Sequence, residues 1–368
     1  MNLKELSKLF LTSQRSEAIA SLLADKTTKE KTVYGLAGSS AAMLLASLPK
    51  QSRPMLVIGS DLDDATYLCG DLINILGAEA VKFFPSGYNR GIQFGNPDAE
   101  NQIKRTEALN AWNKDKRLRF VVTYPDAIAE RVASQETIDN HTITFTVNQS
   151  LDHDHVIKWL RNNAFKEVDY VYEPGQFATR GSILDIFGYS HEYPLRIDFF
   201  GDDIDSIRTF NIETQLSEQR LEEVSITSNV VKQSRGDSLL KFIHKSTIIA
   251  TRDSSEVINV VNEIAHKTFS ESAVIAEEGD KNSMDQVVDP EVFKTDFEKF
   301  SRLHFTARQE VSANTCAAIN LHCSSQGIYH KNFDLLNSAL QEHLSKGFKI
   351  YILSDNPKQT ERLRLIFQ

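Results

Sequence analysis

A glycine-rich turn is the best candidate for a phosphate-binding loop in this chain. The sequence GLAGSSAA begins at Gly35, directly after a short predicted strand, and leads into an apolar helix. A working phosphate loop reads G-x-x-x-x-G-K-[ST], where backbone amides cradle the phosphates, the lysine reaches the β and γ phosphates, and the hydroxyl holds magnesium. Gly35, Gly38, Ser39 and Ser40 keep the small residues of such a loop, but no lysine follows them. We therefore expect a degenerate, non-functional loop that binds an anion weakly at most.

Four residues of metal-ligating type lie near the end of the chain. They are Cys316, His322, Cys323 and His330. Their spacing, C-x5-H-C, fits none of the usual zinc patterns, which place two close ligand pairs on either side of a longer spacer. We interpret them as structural residues and predict no metal site.

Four aspartates cluster around one predicted turn. Asp198, Asp202, Asp203 and Asp205 could indicate a metal or acid–base site. However, Asp198 and Asp205 alternate with arginines on two predicted strands, and cross-strand pairs of opposite charge on a solvated face explain this pattern. No nucleophile elbow is present either, so we predict no catalytic residue.

The segment from residue 173 to 215 predicts an antiparallel sheet. LRIDFF (195–200) and IDSIRTF (204–210) alternate apolar and polar residues, which is typical of half-buried strands. Between them, Gly201, Asp202 and Asp203 have the length and chemistry of a three-residue hairpin loop. Upstream, Pro174-Gly175 predicts a turn, and 183–187 is an apolar run broken only by Asp185.

Arg180 is the strongest candidate for a binding residue. It stands between an aromatic strand and a glycine. One interpretation is an ordinary surface arginine paired with a nearby carboxylate, worth about 0–1 kcal/mol. The alternative is an interface anchor, because arginine is over-represented among binding hot spots and offers a rigid fork to carboxylates.

Charge is unevenly distributed along the chain. Residues 132–228 contain 17 Asp and Glu against 7 Lys and Arg, a net charge of −10, whereas the whole 368-residue chain has −9. Phosphate backbones are bound by clustered Lys and Arg, so the middle segment is a poor candidate for binding DNA. It is a better candidate for binding a protein, although an acidic surface can also serve solubility alone.

Hydrophobic patterning predicts an α/β protein with an inserted α+β domain. Apolar strands without alternation, separated by helices, indicate a parallel sheet covered on both faces. Such strands are expected at 32–35, 55–59, 81–84, 120–123, 247–250, 272–276 and 349–353, with helices at 41–48, 61–76, 98–114, 254–267, 333–345 and 356–367 and a loop at 280–283. The middle pattern differs, with alternating strands and one helix at 151–164. We therefore predict an α/β domain built from 1–131 and 229–368 and interrupted by an inserted domain at 132–228.

The segment from 173 to 215 resembles the second domain of the nucleotide-excision-repair protein UvrB, and still more the matching domain of the bacterial transcription-repair coupling factors. The resemblance is carried by Phe177, Arg180-Gly181, 183–187, 196–200, 203–208 and 210–215. It implies a degenerate P-loop-NTPase-like α/β fold interrupted by a UvrA-interaction domain. It also implies that Arg180 contacts UvrA. Lys166 is a weaker candidate, because relatives often have Gly-Tyr-Arg where this chain has Ala164-Phe165-Lys166.

Other implications of the resemblance concern the secondary candidates and the longer parent protein. Phe177, Phe187 and Arg196 are further candidate UvrA contacts, although either phenylalanine could belong to the core. The resemblance implies that this chain is an amino-terminal module that recruits UvrA without cofactors of its own. ATP, magnesium, DNA and RNA polymerase would be bound by further domains, and a carboxy-terminal domain would mask the docking surface.

The sequence leaves two rival functions open. A UvrB-related helicase or translocase fragment would need the missing lysine and a DExH box, which we do not find. The segment 85–95 is also too short for the damage-probing hairpin of UvrB. A DNA-binding module would need a basic stripe with interleaved aromatic residues. Three widely spaced cysteines and the absence of a long apolar run predict a cytoplasmic protein without membrane contact.

Overall fold

The computed structural model describes residues 3–11, 13–88, 98–189, 191, 193–228, 236–275, 286–307, 317–330, 332–354 and 356–367. The predicted loop at 280–283, Cys316 and most of the segment 85–95 lie outside these ranges. The chain forms two compact units, one up to Cys323 and one from Ser324 onwards. Within the described ranges, no helix is long and apolar enough to cross a membrane.

The α/β part of the first unit alternates strands and helices, as the hydrophobic pattern predicts. Its elements are α1 (Leu3–Phe10), α2 (Ser13–Ala24), β1 (Glu30–Tyr34), α3 (Ser40–Ser47), β2 (Met55–Ile58), α4 (Leu62–Leu76), β3 (Val81–Phe83), α5 (Ala99–Lys114), β4 (Phe120–Thr123), α6 (Pro125–Ala129), α7 (Gln135–Asn140), and, after the inserted domain, α9 (Leu239–Phe242), β13 (Ile248–Thr251), α10 (Ser254–Ile275), α11 (Pro290–Phe297), β14 (Ser301–Phe305) and β15 (Ala317–Asn320).

A seven-stranded parallel sheet is the centre of this part. The strand order is β15-β1-β14-β13-β2-β4-β3, and each neighbouring pair is parallel. The sequences of β2, β4 and β13 are MLVI, FVVT and IIAT, and every residue in them is buried. Helices cover both faces of such strands, which explains the missing alternation. The predicted α/β fold is confirmed, and both halves of the chain contribute strands to one sheet.

The chain segments that lead into and out of the inserted domain are paired just before α7 and just before α9. Backbone N–H groups of Val132 and Asp237 each donate to the carbonyl of the other residue, both at 2.8 Å. An insertion whose ends lie side by side does not separate the strands that flank it. Asn110 of α5 adds a second contact, donating from Nδ2 to Thr227 Oγ1 at 2.6 Å.

The inserted domain is an antiparallel sheet with its larger core on one face and a small buried cluster on the other. Its elements are β5 (Thr142–Thr146), α8 (His153–Asn162), β6 (Lys166–Glu167), β7 (Gln176–Arg180), β8 (Ile183–Ile186), β9 (Leu195–Phe200), β10 (Asp203–Phe210), β11 (Ser217–Leu221) and β12 (Glu223–Thr227). Six strands follow the order β11-β10-β9-β8-β7-β6, antiparallel except for β6 with β7. Helix α8 and the β5–β12 pair share a core with the inner face, including Phe145, Leu160 and Ile197. The opposite side is the outer face.

The hairpin between β9 and β10 is tighter than the sequence predicts. Asp203 pairs with Phe200, so the connection has two residues, Gly201 and Asp202, rather than three. Gly201 adopts a φ of +65°, a conformation that glycine reaches at little steric cost. A two-residue loop is therefore accessible here, and Asp203 belongs to the strand.

Two predicted strands are wrong. Residues 272–275 continue α10, whose Val257, Val261 and Ala265 are buried at helical spacing. A short apolar run cannot by itself distinguish a buried strand from the end of a helix. Residues 349–353 are not a strand within the described part of the chain: Ile352 and Leu353 are exposed, and no described strand pairs with them.

The second unit begins at Ser324, although the sequence analysis groups these residues with the α/β domain. It contains α12 (Phe333–Ser345) and α13 (Pro357–Ile366), close to the predicted helices 333–345 and 356–367. Asn332 and Asn356 cap them by accepting hydrogen bonds from first-turn amides.

A buried ion pair holds the loop that follows β3. Arg105 of α5 lies 3.1 Å from Glu130, and both side chains are almost fully buried. Arg105 also donates to the carbonyl of Pro85 at 2.8 Å, and Glu130 accepts from the amide of Gly87 at 2.9 Å. Burial raises the pKa of Glu130, with Arg105 acting in the opposite direction. The pair therefore joins α5, the loop after β3 and the end of α6.

Arg105→Met should lower the free energy of unfolding by about 3–5 kcal/mol, because it leaves a buried carboxylate without its partner. Urea unfolding followed by circular dichroism measures this. The control is Lys104→Met, which removes only an exposed pair with Glu100 and should cost less than about 0.5 kcal/mol. Equal effects would contradict a structural role for the buried pair.

Candidate protein-binding surface

A buried carboxylate organises the outer face of the inserted domain. Asp185, in the middle of β8, has a side chain that is only 2% exposed. Arg196 of β9 stands directly opposite it and donates from Nε to Oδ1 at 2.7 Å and from Nη2 to Oδ2 at 2.9 Å. Arg180 of β7 donates from Nη2 to the same Oδ2. Two guanidinium groups therefore share one carboxylate, leaving the cluster with one net positive charge.

Arg196 connects neighbouring parts of the inserted domain. Its side chain is largely buried, its guanidinium carbon lies 4.5 Å from the centre of the Phe210 ring, and Nη1 donates to the carbonyl of Gln215 at 3.2 Å. The hydrogen bonds that Arg196 donates to Asp185 raise the pKa of Arg196 above its ordinary value. Arg196 thus links β8 and β9 to the loop after β10.

Arg180 is fixed by an ion pair but remains partly exposed. Its side chain is 38% exposed, and its guanidinium carbon lies 5.2 Å from the centre of the Tyr170 ring. Both sequence interpretations therefore apply in part, because a carboxylate partner fixes the side chain while more than a third of it faces solvent. A fixed arginine beside an exposed aromatic ring has the chemistry of an interface hot spot.

The other predicted contacts lie in different environments. Lys166 is exposed on β6, opposite Gln176 of β7, at the far end of the outer face from Arg180. Phe177 is fully buried in the inner core, and Phe187 is buried with Val171 in a small cluster on the outer side. The surface is therefore built from Arg180 and Lys166, with Arg196 behind Arg180, while the phenylalanines fix the strands beneath.

A second ion pair explains the aspartates near the hairpin. Arg208 of β10 pairs with Asp198 of β9, which also accepts from Ser206 Oγ at 3.0 Å. Asp205 lies at an irregularity in the pairing of β9 with β10. The expected cross-strand pairing thus holds for Asp198, whereas Arg196 pairs with Asp185 instead. Groups of three or more metal-ligating side chains do not occur among the described residues.

The glycine-rich turn has the predicted place between a strand and a helix. It joins β1 to α3, and Gly35 and Gly38 have positive φ values of 74° and 54°. Ser40 Oγ accepts from the amide of Ala37 at 2.7 Å, and Ser39 precedes the helix without a side-chain cap. A Cβ on Gly35 would lie only 2.2 Å from Asn320 Oδ1. The end of β15 therefore packs directly against the turn.

Sequence reasoning missed the residue at the centre of this surface. In the sequence, Asp185 stands out only as a break in an apolar run, although a buried carboxylate requires charged or hydrogen-bonding partners. That rule, applied to the alternation of β8 and β9, would have indicated Arg196. Tyr170, by contrast, lies outside every strand, and its place over Arg180 left no signal in the sequence.

Comparison with known proteins shows which proteins this chain is similar to. Residues 143–230 match the UvrB interaction domain family. The chain is 32% identical over 197 residues to transcription-repair-coupling factors of several Staphylococcus aureus strains, and 30% identical over 197 residues to that of Staphylococcus haemolyticus. Each match covers 53% of this chain but only 17% of the relative, so the chain spans about a sixth of the proteins it matches. The resemblance stated from the sequence is confirmed.

The two arginines on Asp185 should differ in their effect on stability. Arg196→Met should lower the free energy of unfolding by about 3 kcal/mol, because a buried ion pair and its link to the loop after β10 are lost. Arg180→Met should cost at most about 1 kcal/mol, since Arg180 is partly exposed and Asp185 keeps Arg196. Guanidinium unfolding of both variants measures the difference. Equal losses would contradict the division into a structural and a surface arginine.

Proposed function

We propose that this chain is the UvrB-like amino-terminal module of a transcription-repair coupling factor. Its function would be to bind UvrA through the inserted domain and so recruit UvrA to a stalled RNA polymerase in transcription-coupled nucleotide excision repair. The observation that carries the proposal is Arg180, fixed by the buried Asp185 on an exposed face of a domain that matches the UvrB interaction family. The exposed part of Arg180 would bind a carboxylate of UvrA.

Protein docking without nucleotide hydrolysis is the second part of the proposal. Ala41 and Ala42, both buried, lie in the first turn of α3, where a working phosphate loop has its lysine and hydroxyl residues. Neither can neutralise phosphate charge or bind magnesium. Asn320 packs against Gly35 from the other side. Both features support the view that the glycine-rich turn is a degenerate phosphate loop with a structural role.

The remaining partners would belong to a longer protein. The relatives that the chain matches are about six times the length of the matched segment. In our proposal, further domains bind RNA polymerase and DNA and hydrolyse ATP with magnesium. A carboxy-terminal domain covers the outer face until the motor engages DNA, and the protein works in the cytoplasm. UvrA bound to the inserted domain would then be brought to the polymerase by the rest of the molecule.

Calorimetric titration of the chain with purified UvrA tests the docking role. Wild-type chain should bind saturably, and Arg180→Ala should weaken binding about tenfold or more, as expected for an interface hot spot. The control is Lys158→Ala, because Lys158 is exposed on α8, which covers the inner face. Binding that Arg180→Ala leaves unchanged would contradict docking through this residue.

A magnesium-dependent ATPase assay tests the second part. The purified chain should show no turnover above the buffer background, because the turn lacks the residues that bind phosphate and metal. Turnover that disappears in a Gly35→Val variant would revive the rival helicase or translocase function. The crowding of Gly35 by Asn320 makes that substitution disruptive to the turn, so the folded state of the variant must be checked by circular dichroism.

A further inference from the structure

The strands of the central parallel sheet all begin at one edge. The strand register aligns these starts, since Ile248 of β13 lies opposite Ser301 of β14 and Met55 of β2 opposite Phe120 of β4. Within the described part of the chain, six loops lead from a helix into a strand at this edge: residues 25–29 before β1, 298–300 before β14, 243–247 before β13, 48–54 before β2, 115–119 before β4 and 77–80 before β3. We call them the amino-edge loops.

The amino-edge loops are basic, although the whole chain is acidic. They contain nine Lys and Arg against four Asp and Glu, a net charge of +5, whereas the whole chain has −9. Of the four acidic residues, Asp25 and Glu298 form no ion pair with a described residue, and the other two share one arginine. Positive charge is therefore concentrated at this edge of the α/β part.

Six of the nine cations have no carboxylate partner in the described part of the chain. Glu79 and Asp115 both pair with Arg117. Lys299 pairs with a carboxylate of α11, and Arg119 donates to backbone carbonyls instead of a carboxylate. The remaining cations are all exposed: Lys26, Lys29, Lys50, Arg53, Lys116 and Lys245. They are available to an anion from outside the chain.

The unpaired cations follow the edge of the sheet. One of them stands before each of β1, β13, β2 and β4: Lys29, Lys245, Arg53 and Lys116. These strands are neighbours in the sheet, with β14 between β1 and β13. Because neighbouring strands are about 4.8 Å apart, the row is about 19 Å long. This is the length of between five and six base pairs of a duplex, at about 3.4 Å each.

Hydrogen bonds between two of the loops fix part of this row. The Nζ of Lys50 donates to the carbonyl of Lys116 at 2.5 Å, and Nη2 of Arg119 donates to the carbonyl of Leu48 at 2.7 Å. The amide of Met55 donates to the carbonyl of Arg119 at 2.8 Å. The ammonium group of Lys50 is thus held beside the loop that carries Lys116. Loops that are already fixed lose less conformational entropy when they bind.

Helix carboxyl ends at this edge account for only part of the charge. Each amino-edge loop follows a helix, and a cation near the carboxyl end of a helix is favourable by about 0.3–1 kcal/mol. One cation at each helix end is enough for this interaction. The loops after α2, α3 and α5 each carry two exposed cations. The surplus is what a polyanion would neutralise.

We propose that the amino-edge loops bind the phosphate backbone of a nucleic-acid duplex. Five of the six unpaired cations are lysines, and no exposed large hydrophobic side chain lies in these loops. Protein interfaces are instead rich in aromatic residues and depleted of lysine, and single strands are bound by stacking on aromatic rings. A row of lysines without aromatic rings favours backbone contacts that are independent of base sequence. This site does not depend on the proposed docking of UvrA, which uses the inserted domain.

Fluorescence anisotropy of the whole chain with labelled duplexes of about 16 base pairs tests the proposal. At about 50 mM salt the chain should bind in the micromolar range, and log K should fall with log[salt] with a slope of about −4, as for four to five phosphate contacts. Arg53→Glu and Lys116→Glu should each raise Kd about fivefold and reduce the size of the slope by about 1. DNA and RNA duplexes are titrated separately, because they share this backbone chemistry, and binding of either supports the proposal.

The matched control is Lys158→Glu, which makes the same change of charge on α8 of the inserted domain. It should change Kd for the duplex less than about twofold. Unfolding midpoints followed by circular dichroism establish that all three variants are folded. Titration with UvrA should give the same Kd for Arg53→Glu, Lys116→Glu and wild-type chain, so that a failure of UvrA docking and a failure of this proposal are distinguished.

Four results would overturn the proposal. They are no duplex binding at low salt, equal Kd values for the two loop variants and the control, tighter binding to a single strand of the same length, and binding to phosphatidylserine vesicles without binding to a duplex. The last result would assign the loops to a membrane surface. Loss of duplex affinity in both loop variants, with the control and the unfolding midpoints unchanged, supports the proposal.

Discussion

The buried carboxylate of Asp185 is the constraint on which the inserted domain's outer face depends. A buried carboxylate needs charged partners or hydrogen-bond donors around it, because an isolated buried charge costs several kcal/mol. Arg196 supplies the bidentate partner and Arg180 the third hydrogen bond. One acidic residue thus orients two basic ones, ties β7, β8 and β9 together, and leaves excess positive charge at the surface.

The α/β part supplies a different kind of stability. Its central strands are apolar on both faces, so their burial requires helices above and below the sheet. These strands therefore expose little surface. The inserted domain is attached through the paired backbone of Val132 and Asp237, beside the elements held by Arg105 and Glu130. The parallel core can therefore carry a separate sheet whose outer face combines buried residues with the partly exposed Arg180.

Buried elements with a clear hydrophobic pattern could be predicted from the sequence. Strands β2 and β4 and helix α4 with its Asp61 cap follow directly from apolar runs and capping residues. The structure of residues 272–275 could not be predicted, because a few apolar residues fit a strand or a helix and only the preceding turns of α10 decide between them. The strand predicted at 349–353 is wrong for another reason. A strand needs a partner, and sequence does not reveal whether one is present.

The candidate site could be predicted only in part from the sequence. Arg180 could be singled out from its neighbours, but its partner, its exposure and the stacking on Tyr170 depend on strand order, which the sequence does not give. An exposed arginine normally loses about 2 kcal/mol of side-chain conformational entropy when it is immobilised in an interface. Asp185 and Tyr170 restrict Arg180 before any partner arrives, so less entropy remains to be lost on binding. In the proposed function, the buried carboxylate that stabilises the sheet would therefore also orient Arg180 for binding, and a substitution of Asp185 would affect stability and binding together.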